Sequence, residues 1–404
     1  SMKKEINKFL YFYRFLATVD ILNIPKLRFK EFTDEWVYYK YKDIFNLNQG
    51  LQIPITERFL DYAPNRFFYI TNEFLKPSSK KSYYIENPSP NVICTKEDIL
   101  MTRTGNTGKV ITNIAGVFHN NFFRIKYNPK NFNKDFICCI LNQNKIQNKI
   151  LTLAGSSTIP DLNHKDFYSI KSRFPKLKEQ EKIAKFINTV DKKVENLKNT
   201  ITSLENQKKG LLQQIFSQKL RFKDKNGNNY PNWEKKKLED IAIFLDNKRK
   251  PLEQSERIHG KYPYYGASGI IDYVNNYIFD EELILLSEDG ANIIDRNYPI
   301  CYIATGKYWV NNHAHVLKTK SQYLNKFLCE ALERLNYNKY NTGTAQPKLN
   351  QDVCRKIILS IPCLEEQTKI ADFLSAFDRK LENQKAQLEH WQQIKKGLLQ
   401  QMFV

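Results

Sequence analysis

The chain has 404 residues, more than one hydrophobic core ordinarily organises, so two or three domains are expected. Lys and Arg outnumber Asp and Glu by 63 to 43, and the resulting net charge of +20 points to a polyanionic partner, nucleic acid foremost, rather than a cationic or apolar one. Seven cysteines, an odd number without a C-x-x-C pair, exclude a disulfide framework and a structural zinc site and read as reduced thiols in a cytosol.

From the N-terminus, FLYFYRFLATVDIL (9–22) is apolar but interrupted by Arg14, with no small-residue cleavage site after it. Residues 1–23 therefore read as an amphipathic helical extension. No other apolar run approaches the roughly 20 residues of a membrane helix, and the expectation is a soluble, cytoplasmic protein.

A basic leader, KLRFK (26–30), precedes Trp36 and opens a block over 24–176. Its short runs of Ile, Val, Tyr and Phe, punctuated by Gly, Pro and Asn, predict a mixed α/β globule. Two stretches could meet DNA. KPSSKKSYY (76–84) sets Lys80 and Lys81 beside tyrosines, an exposed loop being the alternative. RTGNTGKV (103–110) carries Arg103, Asn106 and Lys109 on a Gly-rich turn, where Arg can take guanine bidentately and small residues admit a phosphate. A plain hairpin turn is the alternative there, and the spacing lacks the pattern of a P-loop.

The block ends with TIPDLN (158–163) and gives way to a long helix over 177–216. Along it Ile183, Ile187, Val190, Val194, Leu197, Ile201, Leu204, Leu211 and Ile215 alternate four and three apart, a heptad seam broken by Lys208.

Everything then recurs. KLRFK returns at 219–223 with Trp233 after it, a second block spans 217–363, AQPKLN occupies 345–350, and a second helix covers 364–404. Shifted by 187 residues, 177–216 and 364–403 are identical at twenty of forty positions without a gap. The second seam is Ile370, Leu374, Phe377, Leu381, Leu388, Trp391, Leu398 and Met402, with Gln384 and Lys395 as exceptions. Matching seams in one chain are most simply buried against each other, and connectivity suits an antiparallel pair relating the halves by a pseudo-two-fold axis. Lys208 and Lys395 precede Gly210 and Gly397, so each helix is expected to loosen there and leave a basic corner.

In the second block NKRKP (247–251) is the densest basic cluster, with Lys248, Arg249 and Lys250; a solvated charge run is the alternative. Lys307, and Lys339 with Tyr340, are further candidates. HAH (313–315) brings two histidines close together without a nearby third ligand, so no metal is expected.

These borders resemble the specificity subunit of type I restriction-modification enzymes. The shared features are the L-x-E-Q-x-K-I-A-x-F helix opening, the K-K-G-L-L-Q-Q ending, the L-R-F…W leader and P-x-L-N before each helix. The resemblance covers nearly the whole chain from about residue 24. It implies an α+β architecture: two mixed α/β target-recognition domains separated by two long helices in an intramolecular antiparallel coiled coil. It further implies a non-catalytic reader of double-stranded DNA, each domain reading one half of a bipartite target while the helices fix the gap and dock two methyltransferase subunits. Those partners would use S-adenosylmethionine on a flipped adenine, and restriction/translocase subunits would bring ATP and Mg; this chain would hold no cofactor. No F-x-G-x-G loop and no N-P-P-[YF] or D-P-P-[YF] tetrapeptide is present to suggest a fused methyltransferase, and no cluster of acidic residues with Lys has the spacing of a fused nuclease. A coiled-coil scaffold without DNA reading is the remaining alternative, and two divergent globules argue against it.

Overall fold

Residues 24–76, 81–155, 158–343 and 345–403 are described by the computed structural model. They fall into two compact units, one drawn from Ser1–Asn199 with Ala386–Val404, the other from Thr200–Lys385. The helical extension expected over 1–23 lies outside the described residues.

Unit 1 contains β1 (Val37–Lys40), α1 (Tyr41–Ile44), β2 (Phe45–Gln49), β3 (Arg66–Ile70), β4 (Tyr83–Glu86), β5 (Ile93–Cys94), β6 (Ile99–Thr102), β7 (Val110–Ile111), β8 (Gly116–Phe118) and β9 (Phe122–Tyr127). It continues through α2 (Lys134–Leu141), α3 (Asn144–Ala154), α4 (His164–Ser169) and β10 (Lys171–Phe174) into α5 (Leu177–Phe216), which passes into unit 2 at Thr200. Its sheets have the orders β1-β10, β2-β9-β6-β7 and β4-β3-β8-β5. Strand β6 (ILMT) and the first four residues of β9 (FFRIKY) are buried, as expected of strands covered on both faces. Arg124 in β9 is accommodated by donating to the carbonyls of Ile93 (2.7 Å) and Asn91 (3.1 Å).

Unit 2 repeats this plan through β11 (Glu234–Lys237), α6 (Leu238–Ile241), β12 (Ile243–Phe244), β13 (His259–Gly266), β14 (Gly269–Val274), β15 (Phe279–Asp280) and β16 (Leu283–Ser287). Then follow α7 (Asn292–Asp295), β17 (Cys301–Ala304), β18 (Lys307–Val310), β19 (Ala314–Lys318), α8 (Gln322–Glu333), α9 (Gln351–Arg355), β20 (Ile358–Ile361) and α10 (Leu364–Gln401), which passes into unit 1 at Ala386. Its sheet orders are β11-β20, β12-β19-β16-β17 and β14-β13-β18-β15, the unit 1 orders with every strand advanced by ten. Even the parallel pairing of β3 with β8 recurs, in β13 with β18. Blocks that share little sequence thus share every strand neighbour.

The repeated borders form one clamp per unit. Glu179, in the first turn of α5, is 2% exposed, and a carboxylate buried there needs partners. Arg28 forks onto it, Nε to Oε1 at 2.7 Å and Nη2 to Oε2 at 2.8 Å, while Trp36 Nε1 donates to Oε1 at 3.4 Å. Gln180 donates from Nε2 to the Pro175 carbonyl at 2.8 Å. In unit 2 Arg221 forks onto Glu366 with both bonds at 2.7 Å, Trp233 donates to the same carboxylate at 3.0 Å, and Gln367 meets the Pro362 carbonyl at 2.7 Å. The L-R-F…W leader and the L-x-E-Q helix opening are two halves of one device.

The repeated helix endings close the globules. In unit 1 the Leu27 amide donates to the Gln401 carbonyl (2.8 Å), and the Trp36 ring meets Phe403 edge-on at 6.2 Å. In unit 2 the Leu220 amide donates to the Gln214 carbonyl (3.1 Å), and Trp233 meets Phe216 at 6.3 Å. Each K-K-G-L-L-Q-Q-x-F peptide is therefore a plug for one core.

The seams pair antiparallel within each unit. In unit 1, buried Ile183, Ile187 and Val190 share a core with Leu398, Met402 and Phe403, and Trp391 packs against it. There Lys395 Nζ lies 2.6 Å from Asp191. In unit 2, Leu212 and Ile215 share a core with Ile370 and Leu374. Lys208 lies 2.7 Å from Asp378, and Lys385 lies 2.8 Å from Glu205, so numbering falls along α10 as it rises along α5. Leu197, Ile201 and Leu204 are buried, while Val194, Phe377, Leu381 and Leu388 are half-buried. Two expectations are corrected. The helices run unbroken through Gly210 and Gly397, and the seam lysines are not a basic corner: Asp378 and Asp191, themselves equivalent across the duplication, neutralise them. Near its end the buried stripe also widens, because Leu212 joins the unit 2 core while Leu211 stays half-buried.

All seven cysteines are free thiols. No helix among the described residues is long and apolar enough to cross a membrane.

Candidate functional site

The Gly-rich turn after β6 is held by the P-x-L-N segment. Leu162 is fully buried, and its amide donates to the Arg103 carbonyl (2.9 Å), while Thr107 Oγ1 donates to the Pro160 carbonyl (2.7 Å). Gly105 and Gly108 have φ of +88° and +89°, a region side chains rarely adopt. A Cβ at Gly105 would stand 2.7 Å from Asn72 Nδ2, and one at Gly108 2.9 Å from Gln147 Oε1. These glycines answer to internal packing as well as to the turn.

Arg103 does not stand free at this turn. Its guanidinium meets Asp161 twice, Nε to Oδ1 at 3.2 Å and Nη2 to Oδ2 at 2.6 Å. Burial pushes the Asp161 carboxyl up, but bonds from Arg103 and Thr104 outweigh it and hold it below its ordinary range. Asn106 and Lys109 remain exposed on the turn.

Unit 2 builds the same junction with opposite charges. The Leu349 amide donates to the Glu288 carbonyl (2.7 Å), as Leu162 does to Arg103. The side chain of Lys348, the equivalent of Asp161, lies 3.7 Å from that of Glu288, the equivalent of Arg103. The bridges Thr104 to Asp161 and Asp289 to Lys348 mark the same crossing.

Arg249 is drawn inward from its basic cluster. It bonds Glu288 (2.6 Å) and the Ala314 carbonyl (2.9 Å) and lies 3.5 Å from Asp246. Beside it, buried His315 bonds Asp246 through Nδ1 (2.7 Å) and the Leu349 carbonyl through Nε2 (2.8 Å). A carbonyl accepts only from N–H, and the carboxylate also favours N–H, so both nitrogens carry protons. Burial opposes that charge, but bonds with Asp246 and Cys354 raise its pKa to about 10. Asp246, Glu288 and His315 bring ligand-type atoms within 4.8 Å of one another, two carboxylates that adjacency in sequence did not reveal beside the histidines. With the imidazole protonated and Arg249 between the carboxylates, the donor set suits an ion-pair network rather than a metal. His313 lies in the turn before β19 and pairs with Asp289 at 2.8 Å; it parts from His315 by leaving the strand, since positions two apart within a strand share a face.

Lys248 and Lys250 are exposed, and the Lys250 carbonyl accepts from Trp309 Nε1 at 2.6 Å. Lys307 lies over the Tyr277 ring (4.6 Å) and 3.9 Å from Asp280. Lys339 lies over its neighbour Tyr340 at 4.7 Å. Lys81 is exposed just before β4; Lys80 lies outside the described residues.

A second repeated device, absent from the sequence expectations, joins an arginine to a tyrosine in each unit. Tyr69 accepts from the Ile53 amide (3.1 Å), and Arg58 bonds the Ile53 carbonyl (2.6 Å) with its guanidinium 5.1 Å from the Tyr69 ring. In unit 2 Tyr264 accepts from the Leu252 amide (2.9 Å), and Arg257 bonds the Leu252 carbonyl (3.2 Å), 4.9 Å from the Tyr264 ring. The available signal was Glu57-Arg58 and Glu256-Arg257. The segments so fixed carry exposed apolar side chains, Ile55, Leu60 and Tyr62 in one unit and Ile258 in the other.

The family model described as "Type I restriction modification DNA specificity domain" matches residues 33–206 and again 230–390. The chain belongs to this family. The two matches correspond to the two repeats of topology described above. A type I restriction enzyme specificity subunit of Methanocaldococcus jannaschii, MjaVIII, is 23% identical over 403 residues, covering 91% of each chain. One from Haemophilus influenzae is 39% identical over 141 residues, 35% of this chain and 36% of that relative, so this match spans about a third of the relative's length. The S subunit of a type I restriction-modification system from M. genitalium shares the fold, with a TM-score of 0.64 at 18% identity over 94% of this chain and 99% of that one. As a type I DNA specificity protein, the chain carries two specificity modules in tandem.

Proposed function

We propose that the chain reads a bipartite, asymmetric sequence in double-stranded DNA, one half through each unit, and performs no catalysis itself. Two methyltransferase subunits dock on α5 and α10 and supply S-adenosylmethionine chemistry; restriction/translocase subunits bring ATP and Mg. The observation that carries this reading is the pair of identical strand orders bearing unlike side chains at equivalent turn positions, Arg103, Thr104 and Asp161 against Glu288, Asp289 and Lys348. A shared scaffold with exchanged chemistry suits two different half-sites. The net charge of +20 supplies the sequence-independent attraction. Half-sites read from one face of B-DNA lie about 34 Å apart per turn. A helix of 40 residues reaches about 60 Å, enough to act as the spacer.

The test is a genome-wide map of methylated adenine in cells expressing this chain with its methyltransferase partners. A single two-part motif with a fixed gap is expected. Scattered or absent methylation rejects the reading, and S-adenosylmethionine binding by the chain alone rejects its non-catalytic part.

A further inference from the structure

The outer face of the two-stranded sheet in unit 1 gathers cations that nothing in the fold requires. Strand register sets Tyr38 opposite Arg173 and Lys40 opposite Lys171. The alternating pair, Tyr39 and Ser172, turns inward, with Tyr39 packed on Phe132 and Phe174. Tyr38 is 57% exposed, and the Lys171 ammonium and Arg173 guanidinium lie 5.6 and 5.2 Å from its ring centre. Like charges directly opposite on an antiparallel ladder destabilise it, yet Lys40 faces Lys171. None of the three cations has a carboxylate within ion-pair distance among the described residues; Lys40 and Lys171 are exposed, and Arg173 is half-exposed with its Nε buried and without an acceptor. Arg103 and Arg249, by contrast, are already paired. The equivalent face of unit 2 carries two lysines on one strand, Lys235 opposite Ser360 and Lys237 opposite Ile358, with Lys237 3.5 Å from Glu239 and no cation facing another across the ladder. The fold is thus built as readily without like charges facing each other on this ladder.

We infer that Lys40, Lys171 and Arg173, gathered around Tyr38, contact the phosphate backbone of DNA. This rests on the DNA-reading function proposed above and adds a sequence-independent anchor to it. Charge complementarity selects the occupant: three cations without carboxylate partners, two of them beside one exposed ring, match a row of phosphates.

The experiment measures binding of the chain, held with its methyltransferase partners, to target and scrambled duplexes across a salt series. Lys171→Gln with Arg173→Gln is expected to weaken both duplexes alike, about tenfold, and to lower the slope of log affinity against log salt by about 2, near 0.9 for each lost phosphate contact. Lys40→Gln is expected to lower it by about 1. Removing a like-charge pair should leave the melting temperature undiminished, and Arg173→Lys should restore the slope if the glutamine variant folds poorly. Unchanged affinity and slope, with wild type still selecting its target, overturns this inference and spares the proposed function. Loss of the methyltransferase partners at unchanged DNA affinity also overturns it, assigning the face to a protein. A wild type that does not discriminate target from scrambled duplex overturns both.

Discussion

Arg103 and Asp161 form in unit 1 the ion pair that Lys348 and Glu288 form, with charges exchanged, in unit 2. Only the pairing is common to both units; the sign is not. Arg103→Glu or Asp161→Lys alone should lower the stability of unit 1 by about 1 kcal/mol, and the two together should recover most of it. A double-mutant cycle by urea denaturation measures this, and additive losses would contradict the pairing. Any effect of Arg103→Ala on DNA binding should then come through the turn and be shared by Asp161→Ala.

The clamps predict a larger effect. Arg28→Ala strands the buried Glu179 carboxylate, and Arg221→Ala strands Glu366. Each should cost about 3 kcal/mol, because an unpaired buried charge loses more than the pair gained. Adding Glu179→Gln to Arg28→Ala should return part of the loss, as read from thermal or denaturant melts. If the second substitution deepens the loss instead, the stranded-charge account is wrong.

His315 gives unit 2 a pH dependence. Its folded pKa, about 10, is raised above the roughly 6.5 of an unfolded histidine. The stability it contributes is complete below about pH 6.5 and is lost as pH rises through 10. Relative to His315→Gln, wild type should be most stabilised near pH 6, with the difference shrinking toward pH 10 in parallel melts. A difference that grows with pH would mean that the imidazole is held neutral.

If α5 and α10 set the gap, removing one heptad within 183–204 together with the antiparallel-matched heptad of α10 shortens it. Methylated motifs mapped in cells should keep both half-sites and change only the distance between them. Altered half-sites would show that reading and spacing are not separable.

Much of this architecture was legible because its signals are periodic or repeated. The heptad stripe states which helical faces are buried, and twenty identities at one offset state that two helices do one job. The interiors were opaque for a physical reason. A fully covered strand such as β6 or β16 accepts nearly any apolar side chain of suitable volume, so ILMT and LILLS fill equivalent places with few identities. The Tyr69–Arg58 and Tyr264–Arg257 devices escaped notice because the Arg-to-Tyr spacing is eleven residues in one copy and seven in the other, which no fixed offset aligns. Arg103 was singled out by residue type alone. Its carboxylate partner lies 58 positions away, and only folding brings the two together.

The bond from the Leu27 amide to the Gln401 carbonyl has a consequence for biogenesis. Unit 1 begins first, yet its core includes Leu398, Met402 and Phe403, whereas the main core of unit 2 includes no residue beyond Leu374 among those described. As the polypeptide leaves the ribosome, the later globule can finish before the earlier one, which waits with an open seam until translation delivers its final helical turns.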